Sequence, residues 1–378
     1  MGELKPFSDD IFENDDSDRL RKVLDNESFD LNTLIQGIEK AMIQLSPNCL
    51  DVFIKFAVSN CIVLPYILSF SSLFCYGKKN KGRKLVKCTK IFLNNGIHRR
   101  EDAEESAWQL LYCLAEYSAT DQKFDVEFDC LNLLMDNGAN PQLQFYPSFK
   151  GESTDIISYF HRITKPFCNH ICHEFFASSI ELFVKNGFDC SETENGSESL
   201  FNIYWIKMTS SNSLMSYEVT KFLPSMQKVF GCFIFGGANM NYRNEDGRLI
   251  LTQFSIDLIE TILHEDLATK NDLIRITRTW LEAIYPFLKF MTATNVQEVV
   301  KEVLEYVDNN NDQGILTDYR QIFKGSMLKH SCLTLEEISF VKLWNSYGKR
   351  FMHCYIPPVL IDRLMGEMLY MNFVSRDS

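Results

Sequence analysis

No stretch of the sequence reaches the run of about 20 apolar residues that a membrane-crossing helix needs. The longest, CIVLPYILSFSSLFCY at 61–76, is interrupted by Pro65 and three serines and reads as a buried helix. The first residues, MGELKPFSDDIFENDDSDR, lack the basic start and apolar centre of a secretory signal. A cytoplasmic setting, or a nuclear one, is expected, and the sequon at Asn195-Gly196-Ser197 then carries no glycan. Positive charge is scarce: 38 Lys and Arg stand against 50 Asp and Glu, a net charge of −12. That balance argues against a surface built for nucleic-acid phosphates. Glycine-rich phosphate loops, G-x-S-x-G elbows and H-E-x-x-H helices are missing too, so no local catalytic signature presents itself. Neither enzyme activity nor a cofactor is expected, and a hydrolase assembled from dispersed Cys and His is the minority reading.

What is present is ample apolar material. With 46% hydrophobic and 13% aromatic residues in 378, the chain can bury a core, which excludes a wholly disordered chain. Twelve cysteines are scattered through it. Cys113, Cys130 and Cys232 fall inside helical apolar patterns, where a reduced thiol behaves as a small hydrophobe, and a reducing compartment follows. Residues 1–17 are acidic and are expected to be disordered.

Four segments share one pattern: CTKIFLNNGI, CLNLLMDNGAN, SIELFVKNGFD and GCFIFGGAN each run an apolar helix into a glycine, at Gly96, Gly138, Gly187 and Gly237. A glycine there supplies the left-handed residue that ends a helix and satisfies its last carbonyls. After three of them comes a short polar excursion, and two of those excursions end in a second glycine, giving helix, hairpin turn, next helix.

In the stretch GGANMNYRNEDGRLIL, residues 236–251, this pattern resembles the ankyrin repeat, whose linking segment reads roughly G-A-D-x-N, D-x-x-G, T-P-L-H. Gly237, Ala238, Asn239, Asn241, Asn244, Gly247 and Leu251 fall at matching places. Leu249 and Ile250 stand where the family has Thr-Pro, and Thr252 stands for the His, so the next helix must be capped some other way. A weaker echo, Phe29-Asp30-Leu31-Asn32, marks a divergent first repeat. The glycines are spaced by 42, 49 and 50 residues, against about 33 for an ankyrin unit, so most repeats must carry insertions. TKPFCNHICHE at 164–174 and KMTSSNSLMS at 207–216 are the expected insertions.

The expected fold is therefore all-α: an ankyrin-like solenoid of stacked helix pairs over 18–292, followed by a small helical region over 293–378. The resemblance implies a protein partner held by hairpin tips, with Tyr242, Arg243 and Asn244 on one tip and Asn140 and Gln142 on another. Tyr and Arg make good anchors, so Tyr242 and Arg243 are the foremost contact candidates.

Three helices are expected in the tail, NVQEVVKEVLEYV, LEEISFVKLWNSY and PVLIDRLMGEMLYMNF, and they read first as a cap on the solenoid's open end. The tail also resembles the SOCS box of the ankyrin-repeat and SOCS-box family. Leu328 and Cys332 in MLKHSC have the L-x-x-x-C spacing of that family's elongin-binding element, and YIPPVLIDRLM, with Pro357 and Pro358, is similar to its proline-rich second element. This resemblance implies docking to elongin B/C and a cullin, as the substrate-recognition subunit of a ubiquitin ligase. Glu336 stands where an aliphatic residue belongs, and Thr334 to Glu337 form a capping box that starts a helix after Cys332 instead of running one through Leu328.

Two clusters remain. CNHICH places Cys168, His170, Cys172 and His173 within six residues, but zinc sites use two separated ligand pairs, so no metal is expected; a buried thiol with exposed histidines is the simpler reading. GKKNKGRKLVK at 77–87 is a compact basic run, read as a solvated inter-repeat loop ahead of a nuclear-localisation or anion-binding patch.

Overall fold

The structure is a computed structural model that describes residues 7–62, 83–95, 125–137, 170–190, 204, 219–244, 246–264, 278, 281, 288, 290–310 and 316–331. Among these residues there are eleven helices and no strand, in agreement with an all-α protein. The chain divides into two compact units, Met1–Thr164 and Lys165–Ser378. That division falls inside the expected repeat region, 18–292.

The first unit holds α1 (Asp9–Glu13), α2 (Ser17–Asn26), α3 (Leu31–Ile43), α4 (Pro47–Ser59), α5 (Arg83–Asn94) and α6 (Asp125–Asp136). The described helices pack in series: α3 on α4, α4 on α5, α5 on α6, with α2 also against α4. Each start has a local cause. Asp16 accepts a hydrogen bond from the Arg19 amide at 3.0 Å and Asp30 accepts one from the Thr33 amide at 2.7 Å, which caps α2 and α3. Along α3, Leu34, Ile38, Ala41 and Met42 recur at helical spacing and are all buried. Gly37 lies on the same helix because a Cβ there would come 2.5 Å from the Phe53 ring, so glycine lets α4 approach closely.

The expected disorder of residues 1–17 does not hold for 7–17. Phe7, Ile11 and Phe12 are buried, and Phe7 packs edge-on against Phe53 with ring centroids 5.1 Å apart. Three large apolar side chains in an acidic segment bury enough surface to hold it, which an average over composition conceals. Asp15 then caps α4 by accepting from the Asn48 and Cys49 amides at 3.2 and 3.0 Å.

The second unit holds α7 (His170–Lys185), α8 (Val219–Phe235), α9 (Ile250–His264), α10 (Ala293–Asn309) and α11 (Thr317–Ser331). α7 packs extensively on α8, α9 on α10, and α10 on α11. Two of the expected glycine closures lie here. Gly187 and Gly237 have φ of +99° and +101°, and the amides of Phe188 and Ala238 reach back to the carbonyls of Phe183 and Phe233 at 2.9 Å, which is the Schellman closure. Gly96 and Gly138 lie outside the described residues.

The tail helix expected at 295–307 is present as α10, with Val299, Val303 and Val307 buried. α11 was not anticipated as a helix. The expected helices at 335–347 and 358–373 lie outside the described residues, as does 63–76 of the longest apolar stretch. No helix among the described residues is long and apolar enough to cross a membrane.

Candidate protein-interaction site

The hairpin between α8 and α9 is built from side chains that bond their own backbone. Asn239 Oδ1 accepts from the Asn241 amide at 2.9 Å, an Asx turn. Asn244 Oδ1 accepts from the Arg248 amide at 2.9 Å while the Asn244 amide donates to the Arg248 carbonyl, also at 2.9 Å. Gly247 sits at φ +76°, and a single antiparallel bridge joins Arg243 to Leu249. The asparagines and second glycine singled out in the sequence are thus the residues that shape the turn.

This turn is fastened to the helix after α9. Asn241 Oδ1 accepts from the Thr292 amide at 3.0 Å and from Asn295 Nδ2 at 2.7 Å, and Thr292 in turn caps α10 through the Asn295 amide. Arg243 makes a two-pronged ion pair with Glu298 of α10, Nη1 to Oε1 at 2.5 Å and Nη2 to Oε2 at 2.7 Å, and also donates to the Gly247 carbonyl at 2.9 Å. The hydrogen bond with Glu298 holds the guanidinium pKa above its ordinary value, and the same bond holds the Glu298 carboxyl below its own. The expected contact arginine is therefore orientated by its own chain, with its side chain still 40% exposed. Tyr242 and Asn244 are half-buried, and Asp246 and Arg248 are exposed beside them. Asn140 and Gln142 of the second expected tip lie outside the described residues, so the structure places one tip only.

Of the Cys168 to His173 cluster, only the His173 side chain is among the described residues, and it departs from the expectation. His170 to His173 begin α7, and His173 is fully buried, not exposed. Its Nδ1 is 2.6 Å from Ser225 Oγ of α8 and its Nε2 is 2.6 Å from the Tyr204 hydroxyl. Two hydroxyls can each donate or accept, so a neutral imidazole is satisfied in either tautomer. Burial pushes its pKa down to about 3 and that of Tyr204 well above its ordinary value. The Tyr204 ring is stacked on Phe176 and edge-on to Phe230 and Phe233. A Ser–His contact of this kind resembles an activated nucleophile, but here His173 and Tyr204 have no exposed surface. Both ring nitrogens are engaged within the protein, so His173 has none left for a metal.

Cys130 and Cys232 are buried, as expected of thiols that act as small hydrophobes, and so are Cys49, Cys88 and Cys190, whereas Cys61 is exposed. Burial pushes Cys49, Cys88 and Cys232 up to about 12, which keeps them protonated and poorly nucleophilic at neutral pH.

In the tail, α11 runs through Leu328 to Ser331, whereas the capping box at Thr334 had pointed to a helix starting only after Cys332. Cys332, Pro357 and Pro358 lie outside the described residues. Comparison with known proteins identifies no relative: no family model, no curated protein and no solved structure matches this chain.

Proposed function

We propose that this protein is a non-catalytic interaction scaffold, an ankyrin-like stack of helix pairs that binds a protein partner through its hairpin tips. The observation that carries this reading is the hairpin at 236–250. Its glycines, its Asx turn and its tie to Thr292 and Asn295 stiffen a segment that presents Tyr242, Arg243, Asp246 and Arg248 to solvent. A pre-ordered loop loses less freedom on binding than a mobile one, which is the condition for a useful contact site. Further support comes from the shared closure at Gly187 and Gly237, and from the backbone bond between them: the Cys190 amide donates to the Gly236 carbonyl at 2.7 Å, so successive turns lie against one another as stacked units require.

The test is comparative capture from cell extract by the intact chain and by a Tyr242→Ser/Arg248→Ser variant, with thermal unfolding recorded for both. Specific partners retained by the first and lost by the second, at equal melting temperature, support the tip as the contact site. Equal retention would refute it.

A second reading is favoured by α11. The helix runs through Leu328, the first residue of the L-x-x-x-C element, and Cys332 lies outside the described residues. On this reading the protein is the substrate-recognition subunit of a cullin-based ligase. Co-elution of the full chain with elongin B/C, abolished by Leu328→Arg, supports it; absence of co-elution leaves the tail as a cap on the stack.

A further inference from the structure

The basic run at 77–87, expected to be a solvated loop, is helical from residue 83 onward. In α5, Leu85, Cys88, Thr89, Phe92 and Leu93 face the core, while Arg83, Lys84, Lys87, Lys90 and Asn94 are exposed. Residues 83, 87, 90 and 94 lie one above the other on a single stripe at 3.6 residues per turn, opposite the buried face. Arg83, Lys84, Lys87 and Lys90 form no ion pair among the described residues.

That arrangement is unusual within this chain. Four other described helices each hold a lysine or arginine paired with an acid one turn away: Arg21 with Asp18, Lys55 with Asp51, Lys185 with Glu181, Lys301 with Glu305. α5 contains no acidic residue at all. Its first turn also carries Arg83 and Lys84, where the helix dipole disfavours cations. The charges therefore do nothing for the helix that bears them.

We infer that this α5 face docks an acidic peptide segment of a partner protein. Charge complementarity selects an anion, and the chemistry of the exposed face selects among anions. A nucleic-acid strand or an anionic lipid surface is poorly matched to a chain of net charge −12. The exposed face has no aromatic side chain on which a base can stack and no apolar side chain to enter a bilayer. An extended-peptide receptor is excluded as well, since the backbone from 83 onward is already helical. A short row of carboxylates matches the three cations of the stripe, Arg83, Lys87 and Lys90, with Lys84 at its edge. This surface is separate from the hairpin after α8 and stands or falls without it.

The test uses the full chain and a fluorescein-labelled oligoglutamate peptide, read by fluorescence anisotropy at low and at physiological salt. The expected result is saturable binding that weakens with salt and falls about tenfold in Lys87→Glu/Lys90→Glu, as several exposed pairs of modest strength imply. A charge-matched control, Lys22→Glu/Lys324→Glu, should bind as the unaltered chain does. Thermal unfolding verifies folding, and Lys87→Ala/Lys90→Ala, which favours the helix, replaces the reversal variant if that one melts early. Any of three outcomes overturns the inference: no saturable binding by the unaltered chain, an equal loss in the control, or tighter binding of single-stranded DNA or phosphatidylserine vesicles than of the peptide.

Discussion

Among the described residues, which leave out Gly96 and Gly138 of the first unit, the two units end their helices by the same hydrogen-bonded closure but put different residues in the left-handed position. In the second unit these are Gly187 and Gly237. In the first they are Asp15, Leu45 and Cys61, at φ of +52°, +49° and +56°, and each is followed by the same pair of reaching-back amides: Asp15 and Asp16 to Phe12 and Ile11, Leu45 and Ser46 to Met42 and Ala41, Cys61 and Ile62 to Val58 and Ala57. A left-handed non-glycine residue costs about 1–2 kcal/mol, so its side chain needs a second task to be worth keeping. Asp15 caps α4, and Leu45 is buried with 1% exposure. Cys61 is exposed and shows no such task. The cores differ too. Phe7, Phe12 and Phe53 meet in the first, whereas the second buries a polar trio, His173, Ser225 and Tyr204.

The buried histidine provides the largest predicted contrast. In the folded chain His173 stays neutral down to about 3, while in the unfolded chain it takes up a proton below its ordinary 6.5. The unfolded state binds more protons between those values, so the stability due to neutral His173 is complete above 6.5 and drains away as pH falls toward 3. Integrated over that window the loss is on the order of 4 kcal/mol. In the first unit, Asp30 is held below its ordinary 3.8 by hydrogen bonds from Thr33, and Asp10 likewise by Ser8 and Arg19, so their contributions fade only below 3.8. Hydrogen exchange followed by mass spectrometry on acidification should show α7 and α8 losing protection before α3 and α4. His173→Gln should flatten the pH slope of the second unit; an unchanged slope would remove His173 as its cause.

How legible these units were follows from their chemistry. Glycine is a visible mark, so the closures at 187 and 237 could be read, as could the turn built by Asn239, Asn244 and Gly247. Valine at every fourth position made α10 equally plain. Closures at Asp15, Leu45 and Cys61 carry no such mark, and these three turns were accordingly missed. α11 was missed because its apolar residues scarcely segregate to one side and Gly325 interrupts them. Arg243 was expected at the tip, but its partner Glu298 is 55 residues away, a pairing that no local pattern announces. His173 was misread for the same reason: Tyr204 and Ser225, which satisfy it, lie 31 and 52 residues off.

A smaller effect tests the glycine side of the comparison. Around Gly187 a Cβ would meet nothing within 4 Å, so Gly187→Ala isolates the backbone cost without a clash. The expected loss is about 1 kcal/mol, read as a lower denaturation midpoint with unchanged slope. At Gly236, one residue before the left-handed position, a Cβ would fall 2.3 Å from the Cys190 sulfur. Gly236→Ala should therefore lose more than Gly187→Ala, through displacement of the Cys190 turn. Equal losses would mean that the contact between the two turns contributes nothing.

The smallest effect has the opposite sign. Cys61→Gly removes left-handed strain of about 1 kcal/mol or more and gives back part of it by loosening the unfolded chain, leaving a net gain of roughly 0.5 kcal/mol. No packing is lost, because the side chain is exposed. The same exchange at Asp15 relieves similar strain but strips the Asn48 and Cys49 amides of their acceptor, and an N-cap contributes about 1 kcal/mol. Asp15→Gly should accordingly destabilise where Cys61→Gly stabilises, a difference in sign that chemical denaturation can register even though each shift is small. If both variants gain stability, the Asp15 cap is dispensable and the first unit keeps its non-glycine closures for no reason visible in the folded state. If both lose it, left-handed strain is not what separates the two units, and the glycines of the second serve the close approach of successive turns instead.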